Sequence, residues 1–426
     1  MESAKILDIN AFELLPKILQ WADTFKYVYY SQPRNVNTYP YGGFLPTLVV
    51  SNNSASIDQE SVFTSLSELV DNSNQSKLYG FLSYELQEET HGVHNPKPST
   101  IAWPKAGFFE AEYLIHLEKD HILIEGMGAP KACGSLQQHL HSHTIESSNK
   151  EAIKLQSNTS KEAYINTVDT LRSHIEEGDV YEINYCINYE AEVGQFNPIT
   201  TYLKLSEKSP TPFNVLLKWQ DKYALCASPE RFLKLQNKKL ISQPIKGTAQ
   251  RDNNPEADEE QKTALRASEK ERAENMMIVD LVRNDLTLSS KTGSIQVEEI
   301  FGIYSFEYVH QMISTISSQL KDGLNPVESI KNAFPMGSMT GAPKKSSLEL
   351  IKKYETHRRT LFSGSIGYMN AEAFDFNVVI RSLFYDRHKK VLNYQVGSAI
   401  TYDSDPEKEY AECQLKAQAI IDILKD

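Results

Sequence analysis

The sequence predicts a protein of mixed helices and strands, and three observations carry that expectation. Between residues 160 and 426, stretches with helical spacing alternate with β-type runs. Two short apolar runs flank Asn237-Lys238, the pattern of a β-hairpin. The chain has 426 residues, 40% of them hydrophobic, which is ample for a large core or for two fused domains.

Taken in order, Phe12 to Leu19 is amphipathic, and strand-like runs follow at Phe44 to Val50, Leu78 to Leu86 and His121 to Ile124. Gly134 to Lys161 is polar and reads as a linker, with His139, His141 and His143 alternating in it and no carboxylate or cysteine to complete a metal set. Residues 1–145 therefore form one expected unit and 160–426 another. Glu162 to Glu177 reads as a helix stopped by Gly178. Tyr181 to Glu190 and Tyr223 to Ala227 read as strands, and Phe232 to Leu235 with Lys239 to Gln243 form the hairpin. Pro255 to Leu286 reads as one long, charged helix. Asn325-Pro326 opens a short helix, and Pro343 to Tyr354 and Pro406 to Leu424 are two more.

Composition excludes several classes. A net charge of −12 argues against nucleic acid as the main partner. No apolar run is long enough to span a bilayer, and Met1-Glu2-Ser3-Ala4-Lys5 lacks the pattern of a signal peptide. Cys133, Cys186, Cys226 and Cys413 are far apart, which suits reduced thiols and a cytoplasmic location.

The chemistry concentrates in a few places. Lys246 sits between Pro244-Ile245 and Gly247, at the end of an apolar strand. Desolvation there lowers an amine's pKa and frees a nucleophile. Glu230 and Lys246 lie almost equally far from the hairpin centre, so antiparallel pairing brings an acid and an amine to neighbouring strand ends. Glu271 and Glu274 are three apart in one helical stretch, and Glu409 and Glu412 in another, so each pair shares a helix face. Two such faces opposed make an all-oxygen site of the kind magnesium prefers. Pro335 to Lys344 holds two glycines and two small hydroxyls ahead of a helix start, a setting for an anion. Arg381 ends a β-branched run, where an arginine pairs with a carboxylate of substrate or protein, and Lys416 lies one turn after Glu412.

These motifs resemble the chorismate-utilising enzymes, and within them the aminodeoxychorismate branch. The resemblance covers most of 160–426: Ser228-Pro229-Glu230-Arg231-Phe232, Pro244-Ile245-Lys246-Gly247-Thr248, the run from Glu274 to Leu286, Thr340-Gly341-Ala342-Pro343-Lys344, and Asp403-Ser404-Asp405-Pro406 with Glu412 and Lys416. It implies an α+β fold of two large packed antiparallel β-sheets with helices outside, the N-terminal half woven into the same body. It implies magnesium held by Glu274 and Glu412 directly and by Glu271 and Glu409 through waters. Thr340, Gly341 and Arg381 would hold the enolpyruvyl carboxylate of chorismate, with Tyr368, Gly397 and Lys416 nearby. Glu230 would be the general acid and His310 a hydrogen-bond partner near the leaving hydroxyl, its other reading being a satisfied core histidine.

Anthranilate synthases of this family carry Ala where Lys246 stands. In the aminodeoxychorismate branch the lysine attacks carbon 2 as the hydroxyl leaves carbon 4, and ammonia then adds at carbon 4. The resemblance thus implies chorismate and ammonia as substrates and 4-amino-4-deoxychorismate, on the para-aminobenzoate and folate route, as product. None of the four cysteines sits in a Gly-x-Cys-x-Gly elbow, so ammonia is expected from a separate glutaminase subunit. The alternatives are anthranilate synthase component I and an inactive partner that only binds a glutaminase. Two positions depart from the family pattern: Glu182 stands where Gln is usual, and Ala399 replaces a second glycine after Gly397.

Overall fold

A computed structural model describes residues 2–33, 38–73, 76–142 and 152–425. Two β-sheets, of twelve and nine strands, face each other, and every strand pairing among the described residues is antiparallel. The expected fold class is therefore the observed one.

Both halves of the chain build both sheets. Tyr27–Ser31 pairs with Phe213–Trp219 in the larger sheet, and Leu78–Leu82 pairs with Ser365–Met369 in the smaller. One apolar cluster fills the space around the smaller sheet and between the two. It runs from Phe44, Phe81 and Phe108 through Phe213 to Phe376. A second cluster lies under the helices on the outer face of the larger sheet, including Ile18, Leu136, Leu171 and Ile420. Burial of this extent is what keeps the polar strand ends in place. No helix among the described residues is long and apolar enough to cross a membrane.

Two sequence expectations change. Ala129–Ser142 is a helix, packed through Ala132, Cys133, Leu136 and Leu140, so His139 and His141 sit on a helix rather than in a linker. The apolar i, i+4 pairs were outweighed in the sequence by the polar residues between them. His143 lies outside the described residues. The long helix expected from Pro255 to Leu286 is two, Pro255–Ala267 and Glu269–Thr287. Ser268 leaves the helical conformation between them, and its hydroxyl accepts the Glu271 N–H at 3.3 Å, capping the second helix.

Two edges matter for function. The strand Glu182–Glu192 lies at one end of the larger sheet, beside the two-residue strand Gly341–Ala342. The strand Ile245–Gln250 lies at one end of the smaller sheet. The helix Glu269–Thr287 packs on that second edge.

Candidate active site

The hairpin turns at Asn237 and Lys238, both with positive φ, and pairs Arg231 with Gln243. Glu230 follows Pro229 just before the first hairpin strand and Ile245 follows the second. Their closeness shows in the electrostatics, where the Ile245 N–H, Ser338 and Lys246 all favour the ionised form of the Glu230 carboxyl. Glu230 is 5% exposed. Burial raises its pKa to about 7, against the pull of Ser338, Lys246, Ile245 and Arg381. A carboxyl with that pKa keeps a proton to give at neutral pH.

Lys246 departs from expectation. Burial does pull its pKa down, but Glu182, Glu274 and Glu230 pull it up more, and the net shift is upward. Its Nζ lies 2.5 Å from Oε1 of Glu182, with side-chain exposures of 10% and 3%. The amine is held as an ammonium in a buried ion pair, rather than freed by desolvation. Glu182, marked in the sequence only as a departure, thus belongs to the site.

Arg381 turns at positive φ between the strands Phe374–Asn377 and Ser382–Asp386. Among the described residues no carboxylate lies within ion-pair distance of its guanidinium. Burial lowers its pKa, partly offset by Tyr394 and Glu230. Arg381 also lines a cavity of about 150 Å³ with Pro229, Phe306 and Gln311, and Glu230, Lys246, Thr340 and Gly341 are not among its walls. A desolvated guanidinium without a carboxylate is suited to bind one.

Thr340 and Gly341 lie beside Glu182. The Thr340 hydroxyl donates to the Met336 and Gly337 carbonyls at 3.2 Å, and Asn184 N–H donates to Thr340 O at 2.8 Å. Gly341 has φ +142°, and a Cβ there would lie 2.1 Å from the Glu182 carbonyl oxygen. Only glycine lets this strand approach so closely. Arg359, paired with Glu355 and fully buried, donates to the Met339 and Asn184 carbonyls and so fixes the same two segments. Gly397 pairs with Cys186, and its carbonyl accepts from Lys416 Nζ at 3.1 Å. Lys416 also pairs with Glu412 at 2.7 Å. Ala399 pairs with Asn184 in an unbroken ladder.

The two glutamate pairs face each other across Lys270. Its Nζ lies 3.8 Å from Glu274 and 3.8 Å from Glu409, and the fields of Glu412 and Glu271 also reach it. Burial, then Glu182 and Glu271, raise Glu274 to about 7, while Lys246 and Lys270 oppose. Glu271 is raised by burial, helped by Glu412. Glu412 is lowered, because Lys416, Lys270 and Lys246 outweigh its burial. Carboxylates that raise one another's pKa gain from a shared cation, and an all-oxygen set fits a hard one. The four do not close on one point. Among the described residues, three ligand groups reach mutual ligand spacing only at His174, Glu177 and Asp179, where Asp179 and Tyr354 already engage both His174 nitrogens.

Two expected residues have partners other than those expected. Tyr368 packs against Tyr79 and Phe44 with Lys77 over its ring, beside the Arg231–Asp375 pair, in the smaller sheet. The aromatic hydroxyl whose field acts on Arg381 is that of Tyr394, which donates to Lys416 O at 3.1 Å. Its place three residues before Gly397 was the available signal. His310 is buried with both ring nitrogens engaged, by Ser305 Oγ at 2.8 Å and Asp258 at 3.0 Å. That is the geometry of a satisfied core histidine.

An acid, a buried amine, a guanidinium without a carboxylate partner and two facing glutamate pairs form a set suited to holding an anion and moving protons. The chain belongs to the chorismate binding enzyme family, whose profile matches residues 26–422. It is 42% identical over 264 residues to the chloroplastic aminodeoxychorismate synthase of Arabidopsis thaliana, covering 61% of this chain and 28% of that one. It is 36% identical over 272 residues to aminodeoxychorismate synthase component 1 of Salmonella typhimurium, covering 64% and 59%. The chain thus matches from about a quarter to three fifths of the length of these relatives. Anthranilate synthase component I from Streptococcus pneumoniae shares the fold, with TM-score 0.76 at 23% identity over 99% of this chain and 92% of that one.

Proposed function

We propose that this protein converts chorismate and ammonia to 4-amino-4-deoxychorismate, the amine precursor on the para-aminobenzoate route. The observation that carries this reading is that Lys246 and Glu230 lie together at neighbouring strand ends, each buried and each coupled to the other's charge. The relatives called aminodeoxychorismate synthase support the same choice within the family.

Glu230, protonated near pH 7, gives its proton to the ring hydroxyl as carbon 4 loses it. Lys246 gives up its own proton and attacks carbon 2, and ammonia then enters at carbon 4 and expels the lysine. Arg381 holds one substrate carboxylate, with the Thr340-Gly341 segment lining that end. Glu274 and Glu412, with Glu271 and Glu409 behind them, would hold magnesium, which would neutralise the other substrate carboxylate. A glutaminase in a separate subunit supplies ammonia, in keeping with the name component 1 of the Salmonella relative.

The test is product analysis of the purified chain with chorismate, magnesium and an ammonium salt, beside Lys246→Ala. Aminodeoxychorismate from the native chain, lost in the variant, supports the reading. Anthranilate or isochorismate from the native chain overturns it.

A further inference from the structure

The Lys246–Glu182 pair joins the two sheets, with Glu182 on the edge of the larger and Lys246 on the edge of the smaller. The main chain of Glu182 is held on two sides, by Ala342 in the short edge strand and by the Ser347 hydroxyl on its carbonyl at 3.4 Å. Among the described residues, Lys246 is the one side chain that hydrogen-bonds the Glu182 carboxylate. The mechanism proposed above takes the lysine nitrogen away to a ring carbon. That movement leaves the nearly buried Glu182 side chain facing the pocket without its hydrogen-bond partner. Such a group needs a replacement partner that is small, rich in N–H or O–H donors and able to carry positive charge. Ammonium has the same head group as the lysine that left. Water matches it less well, since it is neutral and has two donors.

We propose that the Glu182 carboxylate is the seat of the incoming ammonia, a site held by Lys246 at rest and passed to the second nitrogen once the lysine is bonded to the ring. This rests on the reading under Proposed function and names the nitrogen-donor subsite of the same site. The protons balance. Lys246 passes one proton to Glu182 and its lone pair forms the bond to carbon 2. The carbon 4–oxygen bond breaks, and Glu230 supplies the proton that makes water. Ammonia enters and takes that proton, so it is held as ammonium against the Glu182 carboxylate, and it returns the proton to Glu182 as its lone pair forms the carbon 4–nitrogen bond. The carbon 2–nitrogen bond breaks and its electron pair returns to Lys246. Glu182 gives Lys246 back its proton, and the new ammonium group gives one to Glu230. No other acid or base is consumed, and the pocket favours a nitrogen nucleophile over water because ammonia, far more basic than water, can take the proton Glu182 received and be held as its cation.

The experiment is a steady-state comparison of the native chain, Glu182→Gln and Glu182→Asp, with ammonium chloride as the probe. Rates are measured against ammonium at saturating chorismate and against chorismate at saturating ammonium, and melting curves show that each variant is folded. A neutral amide accepts a hydrogen bond from ammonium more weakly than a carboxylate does, so the Michaelis constant for ammonium should rise about tenfold in Glu182→Gln. The constant for chorismate should change less than twofold, and Glu182→Asp should recover part of the loss. If the ammonium constant is unchanged in Glu182→Gln, or if both constants rise together, the proposal is overturned while the assigned reaction stands. A native chain that makes no aminodeoxychorismate overturns the assigned reaction and this proposal with it.

Discussion

Lys246 and Glu182 meet across the two sheets, Nζ to Oε1 at 2.5 Å, and neither side chain is more than a tenth exposed. Each therefore depends on the other. Removing the lysine leaves a buried carboxylate without its cation, which costs about 3–5 kcal/mol in comparable pairs. Lys246→Ala should accordingly lower the free energy of unfolding by several kcal/mol. Adding Glu182→Gln to it should return much of that loss. Urea denaturation of the two single variants and the double variant closes the cycle, and strictly additive losses would show that the pair contributes nothing.

Glu230 gives a pH prediction with a definite sign. Its pKa is raised from 4.5 to about 7 in the folded chain. The folded state thus holds a proton that the unfolded state releases between those values, and stability falls as pH rises through that window. Glu230→Gln, which cannot ionise, should match the native chain near pH 4 and exceed it above pH 7. That rise, from 4.5 to about 7, corresponds to a gap on the order of 3 kcal/mol. The same variant should lose roughly 10²- to 10⁴-fold in rate, as a lost general acid does. Melting curves at several pH values test the first part and turnover the second.

The parts of the molecule that were legible in the sequence share a physical reason. Glu230 and Lys246 were brought together by a hairpin whose turn and strand lengths are local, so counting outward from Lys238 sufficed. Each glutamate pair shared a helix face by spacing of three, which is also local. Partners set by tertiary contact were not legible. Glu182 and Lys246 are 64 residues apart and on different sheets. Tyr368 and Tyr394 both lie in apolar strands, and only the packing puts Tyr394 in range of Arg381 and Tyr368 beside Tyr79. The helix Ala129–Ser142 was obscured because its buried face is short and small, with Ala132 and Cys133 among its contacts.

Lys270 competes with any divalent cation for the facing glutamates. Its ammonium lies within 4 Å of one carboxylate on each helix. It is more than half exposed, so its hold is modest, within the roughly 0.2–1 kcal/mol of exposed pairs. Lys270→Met should tighten magnesium binding up to about fivefold by calorimetry. Glu274→Gln and Glu412→Gln should weaken it instead. A tighter site in either Gln variant would mean that these carboxylates do not bind the metal.

Arg231 and Asp375 form the most deeply buried ion pair of the hairpin, with exposures of 0% and 1%. Nε donates at 2.8 Å and Nη2 at 3.0 Å to the two carboxylate oxygens, and the same guanidinium donates to the carbonyls of Pro40 and Gly42. It lies 4.9 Å from the centre of the Phe213 ring. It thereby ties an N-terminal loop to the hairpin that carries Glu230. Asp375→Asn should cost about 3–5 kcal/mol by leaving the arginine buried without its anion. Arg231→Met paired with Asp375→Leu should cost less than Asp375→Asn alone. Chemical denaturation at one pH measures all three.

Gly341 sets how closely the Thr340 segment lies against Glu182. Its φ of +142° is a conformation that side chains rarely adopt, and a Cβ would sit 2.1 Å from the Glu182 carbonyl and 2.7 Å from Ser347 Oγ. Both obstacles are fixed, one by the strand pairing of Ala342 with Glu182 and the other by the helix Lys344–Tyr354. The edge strand must therefore move away when any side chain is added. Gly341→Ala should lose about 1–3 kcal/mol of stability from strain and overpacking. Because the proposed carboxylate site includes Thr340, the movement should also weaken chorismate binding. Titration of chorismate into the folded variant, without ammonium, reads this separately from turnover. A variant with native affinity would show that the close approach at Gly341 serves only the sheet edge.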